Sequence, residues 1–389
     1  MCSHTFSPNT PKKVGFIINP IAGMGGRVGL KGTDNVLDKA IELGAKPVSP
    51  DRAREFLNTL RSLITTEEVN LEIITCRDPM GEREVKEANL AVEVIDIPKS
   101  KKTTAQDTKD AVKVMVDMGI DILVFVGGDG TARDIYDALK EKKKEDFIVL
   151  GVPAGVKMYS GVFAINPREA AYILIDYFKG SANVTELELM DIDEEAFRKD
   201  QLVIKLYGYM RCPYIPFRMQ HSKQVSPDST DERDNQEAIA QYIIENMDKN
   251  SAYILGPGTT VKCIADLLGI RKTLLGVDIY YAGRVINDVN ECQLLDFIKR
   301  FKGKNIWIIV SPIGRQGMIF GRGNQQISPK VIKAVGRDRI IVIATRRKLR
   351  DIEGEVLRVD TGDPEVDEYL RGYIKVFIDY ATWRVVKVK

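Results

Sequence analysis

The sequence predicts an α/β protein: an N-terminal doubly wound domain built on a parallel sheet, followed by a second, mixed α/β domain. Three observations predict it. Short apolar runs alternate with helical stretches through the first part of the chain, a spacing that produces a parallel sheet with helical crossovers. Glycine-dense loops follow two of those apolar runs directly. The length, 389 residues, exceeds what one ordinary core organises and fits two domains. Two domains imply a cleft, and the active site is expected in it.

Taken in order, residues 14–18 (VGFII) are a strand that ends at Asn19-Pro20, and the glycine-rich IAGMGGRVG cannot continue it. Residues 51–66 read as a helix, 71–75 (LEIIT) as a strand, 78–89 as a charged helix and 91–97 as an alternating strand. Thr103-Thr104 can cap a helix that carries Ala111, Val112, Met115 and Met118 on one side and stops at Gly119. Residues 121–126 (DILVFV) form a fully apolar strand, followed by a glycine loop, the helix ARDIYDALKEKK and a strand over 147–152. A helix over 168–180 ends the first domain. Gly180-Ser181 marks the crossing, so the domains are drawn at 12–180 and 181–389.

The second domain opens with strands NVTELELMDI and QLVIKLYGYM (201–210). The polar stretch 219–235 has almost no apolar content and reads as an exposed loop. A helix over 236–248, a strand over 252–255, GPGTT and the helix VKCIADLLG repeat the strand, glycine loop, helix order. Strands are expected over 274–280, 306–311 and 339–344, helices around 290–301 and 329–335, and a closing hairpin in YIKVFIDYATWRVVKV.

Composition narrows the chemistry. Lys plus Arg number 57 and Asp plus Glu 55, so net charge gives no reason to expect nucleic acid as a partner. No apolar run approaches the roughly 18 residues of a membrane span. The first residues lack a signal-like apolar core. Cys2, Cys76, Cys212, Cys263 and Cys292 are scattered without a CxxC and cannot all pair; a reducing cytoplasm is the expected compartment. The only histidines, His4 and His221, leave little room for a His-rich metal site or a Ser/His/Asp triad. Carboxylates, lysines and bound metal are left to carry chemistry.

The segment VFVGGDGTARD follows the carboxyl end of a buried strand and opens a helix, where α/β sheets bind ligands. Gly127, Gly128 and Gly130 let the backbone approach a polyphosphate and turn N–H groups toward it, the helix terminus adds favourable partial charge, and Thr131 offers a hydroxyl. Asp129 repels phosphate unless it meets a metal or a hydroxyl proton. It therefore serves either as a general base or Mg²⁺-orienting group, or as the cap of a tight turn.

GGDGT after an apolar strand resembles the signature of NAD kinases and, more loosely, of diacylglycerol, sphingosine and 6-phosphofructo kinases. Asn19-Pro20 with Gly23, Gly25 and Gly26 resembles the NPxxGxG opening of that superfamily, and LGVPAGVKMYSGVFA (150–164) lies where related lipid kinases carry a PAGT-type loop. The chain is most similar to the ATP-NAD kinase or acetoin-catabolism protein X-like branch. The resemblance implies that Asp129 prepares the ribose 2′-hydroxyl of NAD, that Gly127, Gly128, Gly130 and Thr131 hold nucleotide phosphates bracketed by Asn19 and its glycines, and that ATP, or polyphosphate, is the donor. Mg²⁺ is implied by ATP itself. Gly256, Gly258, Thr259 and Thr260 resemble in part the loop that NAD kinases place on the dinucleotide; a Thr-capped helix entry is the alternative. The Asn-Glu/Asp pair of that family is not found between the glycine loops, Asn287-Asp288 lying after both. Related enzymes imply a homo-oligomer.

Other candidates carry both a functional and a plain reading. Lys157 can pair with a phosphate or be a solvated loop lysine. Asp278 can orient a metal or ribose, or cap a turn. Tyr159 can stack on a base or fill the core. Arg315 and Arg322 flank GRQGMIFGRG, which can hold an anion or form an exposed basic turn. Arg346-Arg347-Lys348 reads as solvated surface. A kinase of a lipid, sugar or other small alcohol, and a non-catalytic nucleotide-binding protein, remain as rivals.

Overall fold

The computed structural model describes residues 11–30, 37–100, 102–155, 158–192, 204–216, 218–219, 230–301, 305–314 and 316–389. The chain divides into two compact units. The first takes Met1–Met24, Lys46–Asp193 and Val203–Ser222, the second Gly25–Ala45, Glu194–Leu202 and Lys223–Lys389. The crossing drawn from the sequence at Gly180-Ser181 thus falls ahead of a hairpin that packs on the first unit.

The first unit is a five-stranded parallel sheet: β1 (Lys12–Ile18), β2 (Leu71–Cys76), β3 (Val92–Ile95), β4 (Ile122–Gly127) and β5 (Val149–Pro153), in the order β3-β2-β1-β4-β5. Its helices are α2 (Ser49–Glu67), α3 (Glu82–Glu87), α4 (Ala105–Asp117), α5 (Asp129–Glu141) and α6 (Pro167–Phe178), α1 (Leu37–Glu42) belonging to the second unit. The chain winds outward from β1 through β2 to β3, then returns across the sheet to β4. With right-handed crossovers that reversal puts the two sets of helices on opposite faces. Accordingly α2 packs on α3 and α6, and α4 on α5. All of β4 and β5 is buried, as strands covered on both faces must be. Phe16 stacks on Phe56 at 5.7 Å between ring centroids, and Phe125 meets Phe163 edge-on at 5.4 Å.

Several boundaries differ from the sequence reading, each for a local reason. The charged helix expected over 78–89 is confined to α3, because Pro79 and Gly81, at φ 141°, hold its approach in a turn. Thr104 caps α4 as expected, in a reciprocal pair with Asp107, and Gly119 ends it at φ 75°. Next, β6 (Asn183–Ile192) and β7 (Ile204–Tyr214) form a two-stranded antiparallel hairpin that packs on α5 and β5.

The second unit is a mixed nine-stranded sheet, β10-β9-β8-β11-β13-β15-β16-β14-β12. Its strands are β8 (Ala252–Leu255), β9 (Asp278–Tyr281), β10 (Arg284–Ile286), β11 (Ile306–Val310), β12 (Met318–Phe320), β13 (Ile340–Ile343), β14 (Val356–Val359), β15 (Gly372–Asp379) and β16 (Thr382–Val388). Strands β8, β11, β13 and β15 run parallel, and β9 and β16 flank them antiparallel. The helices are α7 (Thr230–Glu245), α8 (Thr259–Leu267), α9 (Glu291–Arg300), α10 (Pro329–Val335), α11 (Arg346–Arg350) and α12 (Pro364–Leu370). Alternate residues serve two cores: Tyr253 and Leu255 join Ile239 and Ile243 of α7 and Ile264 of α8, whereas Ala252 and Ile254 join Leu294 of α9 and Val331 of α10.

The exposed loop expected over 219–235 is corrected at both ends. Met219 is 1% exposed and bridges Ala164, and 230–235 are the first turns of α7, whose acidic Asp231 and Glu232 suit a helix start. Residues 220–229 lie outside the described residues. The strand expected over 274–280 shrinks to β9, because residues 272–276 wrap around the Asp278 carboxylate. Among the described residues no helix is long and apolar enough to cross a membrane.

Candidate functional site

In the first unit the strand order reverses between β1 and β4, and at such a point the loops leaving two neighbouring strands diverge and open a crevice at their carboxyl ends. Both glycine loops singled out in the sequence leave from there. The turn after β1 carries Asn19, whose N–H donates to Val126 O at 3.0 Å. Its Nδ2 donates to Thr131 Oγ1 at 2.8 Å, and its Oδ1 accepts from Ile21 N at 3.3 Å. Asn19 therefore joins the two loops directly.

The loop after β4 is sterically committed to glycine. A Cβ on Gly127 would stand 2.5 Å from Thr131 Oγ1, and one on Gly128 would stand 3.2 Å from Gly155 Cα. Gly127 O accepts from Ala154 N at 2.9 Å and Gly155 N at 3.1 Å, which brings the loop after β5 alongside. Gly23 closes the third side: its φ is 80°, and a Cβ there would lie 2.0 Å from Ala154 O. Gly128 is the N-cap of α5, and Gly130 and the buried Thr131 lie in its first turn.

Asp129, first residue of α5, is 8% exposed. Its Oδ2 accepts from Tyr159 N at 2.8 Å and its Oδ1 from Ser160 N at 3.1 Å. These charge-assisted bonds are worth about 1.5–3 kcal/mol each, and they pin residues 158–160 against the helix N-terminus, which itself favours an anion. Asp129 is thus a loop clasp, whatever else it does. Tyr159 is buried, its ring in the core, and its hydroxyl pKa is pushed up by burial and by the Asp129 charge. Ser160, which composition and spacing do not flag, is fully buried, and its Oγ accepts from Met190 N of β6 at 2.9 Å. The hairpin buttresses α5 as well: Arg133 pairs with Asp191, and Tyr207 Oη donates to Asp137 at 2.8 Å. Lys157 lies outside the described residues.

Gly25 and Gly26 belong to the second unit, in a turn where Leu30 N donates to Gly25 O at 2.9 Å and Gly29 N to Gly26 O at 3.2 Å.

Within the second unit, Gly256, Gly258, Thr259 and Thr260 follow the carboxyl end of β8. Gly256 N donates to Ile309 O at 2.9 Å; Gly258, at φ 109°, is the N-cap of α8 and its N–H donates to Leu274 O at 2.8 Å. Thr259 is exposed and receives Gln236 Nε2 at 3.4 Å, while Thr260 is 1% exposed. The neighbouring parallel strands bring Ser311 and α11 to the same edge, where Lys348 Nζ donates to Ser311 Oγ at 3.1 Å. Of the basic run read as solvated surface, Arg346 and Arg347 are exposed as expected, Arg346 pairing with Asp379 at 2.9 Å, and only Lys348 turns inward, in a helix whose cap Thr345 accepts from Lys348 N.

Asp278 is fully buried and holds a turn, accepting from Thr273 N at 3.0 Å and Asp288 N at 2.7 Å. Arg322 lies in a turn organised by Asn324, whose Oδ1 accepts from Gly321 N at 3.0 Å and whose Nδ2 donates to Ile319 O at 2.8 Å; Arg315 lies outside the described residues. A groove of about 580 Å³ is lined by Tyr242, Tyr253, Trp307, Arg337 and Phe377. It follows the amino-terminal ends of β8, β11 and β13, the edge opposite the glycine loop. Among the described residues no three His, Cys, Asp or Glu side chains group as metal ligands.

The model of the ATP-NAD kinase N-terminal domain matches residues 14–182. That of the ATP-NAD kinase C-terminal domain matches residues 248–388. No curated protein matches the chain. The N-terminal match spans both glycine loops of the first unit, and the C-terminal match spans the strand, glycine loop and helix of the second. Covered in this order over most of its length, the chain belongs to the ATP-NAD kinase family and is a phosphotransferase.

Proposed function

We propose that the protein transfers the γ-phosphoryl group of ATP to the ribose 2′-hydroxyl of NAD, giving NADP and ADP. One observation carries the donor half of this reading: the Asn19–Thr131 bond knits the loops after β1 and β4 together at the point where the strand order reverses. There the backbone of Gly127, Gly128 and Gly130 and the Thr131 hydroxyl would receive phosphate oxygens, with Gly23 keeping that side of the loops free of a Cβ.

Family membership supports NAD as the acceptor. Gly256, Gly258, Thr259 and Thr260 would hold the dinucleotide. In the transfer the 2′-oxygen attacks the γ-phosphorus in line, the bond to the bridging oxygen of ADP breaks, and the hydroxyl proton leaves to Asp129. Tyr159 N and Ser160 N would orient that carboxylate toward the hydroxyl. Mg²⁺ would arrive on the ATP phosphates and neutralise their charge. The reading places the enzyme in the cytoplasm, in keeping with free cysteines at positions 76, 212, 263 and 292.

The test is incubation with ATP, Mg²⁺ and NAD, following NADP through a coupled dehydrogenase. NADP accumulates if the reading is right. ATP consumption with other alcohols and none with NAD would keep the kinase and remove this acceptor. Inorganic polyphosphate in place of ATP decides the donor. Asp129→Asn is expected to lower kcat by about 10²–10⁴ while ATP binding measured calorimetrically persists; normal turnover in that variant removes the proton-acceptor role.

A further inference from the structure

Lys272 and Asp278 form an ion pair at 3.2 Å with both side chains 0% exposed. Charges so fully removed from water are costly unless every lone pair and proton is used, and here they are used on one short segment. Asp278 Oδ2 accepts from Thr273 N at 3.0 Å and, with Oδ1, from Thr273 Oγ1 at 2.9 and 3.0 Å. Oδ1 also accepts from Asp288 N at 2.7 Å and Asn287 Nδ2 at 3.3 Å. Lys272 Nζ donates to Thr273 O at 2.7 Å and Gly276 O at 3.5 Å. The turn closes so tightly that a Cβ on Gly276 would stand 2.3 Å from Asp288 Oδ1.

The node's position explains its use. Asp278 opens β9 and pairs with Leu255, the last residue of β8 before the glycine loop. The turn it closes presents Leu274 O, which takes the Gly258 N–H at 2.8 Å. Gly258 is the N-cap of α8 and stands at φ 109°, a conformation only glycine holds without strain. One carboxylate therefore fixes a carbonyl, and that carbonyl fixes the residue that aims the first N–H groups of α8.

We infer that Asp278, neutralised by Lys272, is a positioning residue for acceptor binding: it sets the Gly256–Thr260 loop in the geometry that receives the phosphates of the dinucleotide. The inference rests on the reading of that loop given under Proposed function. It concerns the acceptor loop, because the turn around Asp278 and the Gly256–Thr260 loop that it braces both lie within the second unit.

The experiment compares wild type, Asp278→Asn, and the double variant Lys272→Met with Asp278→Leu, which removes both charges and relieves the burial cost without restoring the hydrogen bonds to the turn. In both variants KM for NAD is expected to rise about tenfold or more while KM for ATP stays within about twofold. In the double variant this holds even where the thermal midpoint returns to wild type. Amide hydrogen exchange read on peptides over 256–260 and 272–276 is expected to quicken together by about tenfold or more. A parallel rise in both KM values, or unchanged exchange over 256–260 in Asp278→Asn, overturns the inference. If wild type forms no NADP, the acceptor reading is what fails, and the exchange measurement still decides whether Asp278 sets the loop.

Discussion

At the scale of single residues the site is built by exclusion as much as by attraction. Gly127 illustrates it: its backbone angles are ordinary, yet a methyl group would be driven into Thr131, the residue that Asn19 holds from the other side. Gly127→Ala is expected to cost about 1–3 kcal/mol of stability in urea denaturation and to weaken ATP binding with it. An unchanged midpoint and affinity would mean that Thr131 can turn away at no cost. That the loops after β1 and β4 matter together was legible in the sequence, because glycine spacing after an apolar strand has few explanations. What was hidden is the second occupation of Asp129. Its partners are backbone groups of Tyr159 and Ser160, about thirty residues downstream, and a backbone N–H leaves no trace in a sequence. For Asp278 the sequence offered a turn to cap, and the structure gives it one; its partners Thr273 N and Asp288 N are again backbone groups, which a sequence does not reveal.

At the scale of elements, α5 is the piece that holds the glycine loop after β4, and its far side is anchored by Asp137. That carboxylate receives Lys109 Nζ of α4 at 2.9 Å and Tyr207 Oη of β7 at 2.8 Å. Burial pushes its pKa up, but the hydrogen bonds from Lys109 and Tyr207 and the nearby positive charges outweigh it and hold the group below the usual carboxylate range. A carboxyl that ionises more readily folded than unfolded contributes stability above its unfolded pKa, near 3.9, and loses it as pH falls through the folded value. The side chain is 31% exposed, so the gain is screened to about 1 kcal/mol or less. Asp137→Asn should therefore be less stable than wild type at neutral pH, and the two melting curves should converge in acid, below the unfolded pKa. A gap that widened on acidification would contradict the pairing. Strands and long helices at this scale were predictable because their periodicity is set by burial. The stretch 219–235 was not, because a helix that buries only one narrow side, here Gln236, Ile239, Ala240 and Ile243, can begin with a wholly polar turn.

At the scale of the whole molecule, two α/β units were legible from strand and glycine-loop order, but the route of the chain through them was not. Contacts distant in sequence decide it. Residues 25–45 leave the first unit to join the second, where Arg27 O accepts Glu291 N at 3.1 Å, and residues 46–193, ending in β6, and then β7 belong to the first again. Neither unit is therefore a single stretch. A fragment ending at residue 182, where the N-terminal family match stops, lacks the hairpin that holds Ser160, Arg133 and Asp137. Such a fragment is expected to show broad, poorly dispersed amide resonances, whereas a well-dispersed spectrum would show that the sheet needs no hairpin.

The same route sets an order for folding. Arg27 and Glu291, whose backbones meet within the second unit, are separated by most of the residues of the first. Their contact closes a long loop, and the entropy of that closure is lost before the contact returns anything. The seating of Arg27 against Glu291 is therefore expected among the late events of refolding, after the five-stranded sheet with its shorter crossovers has formed.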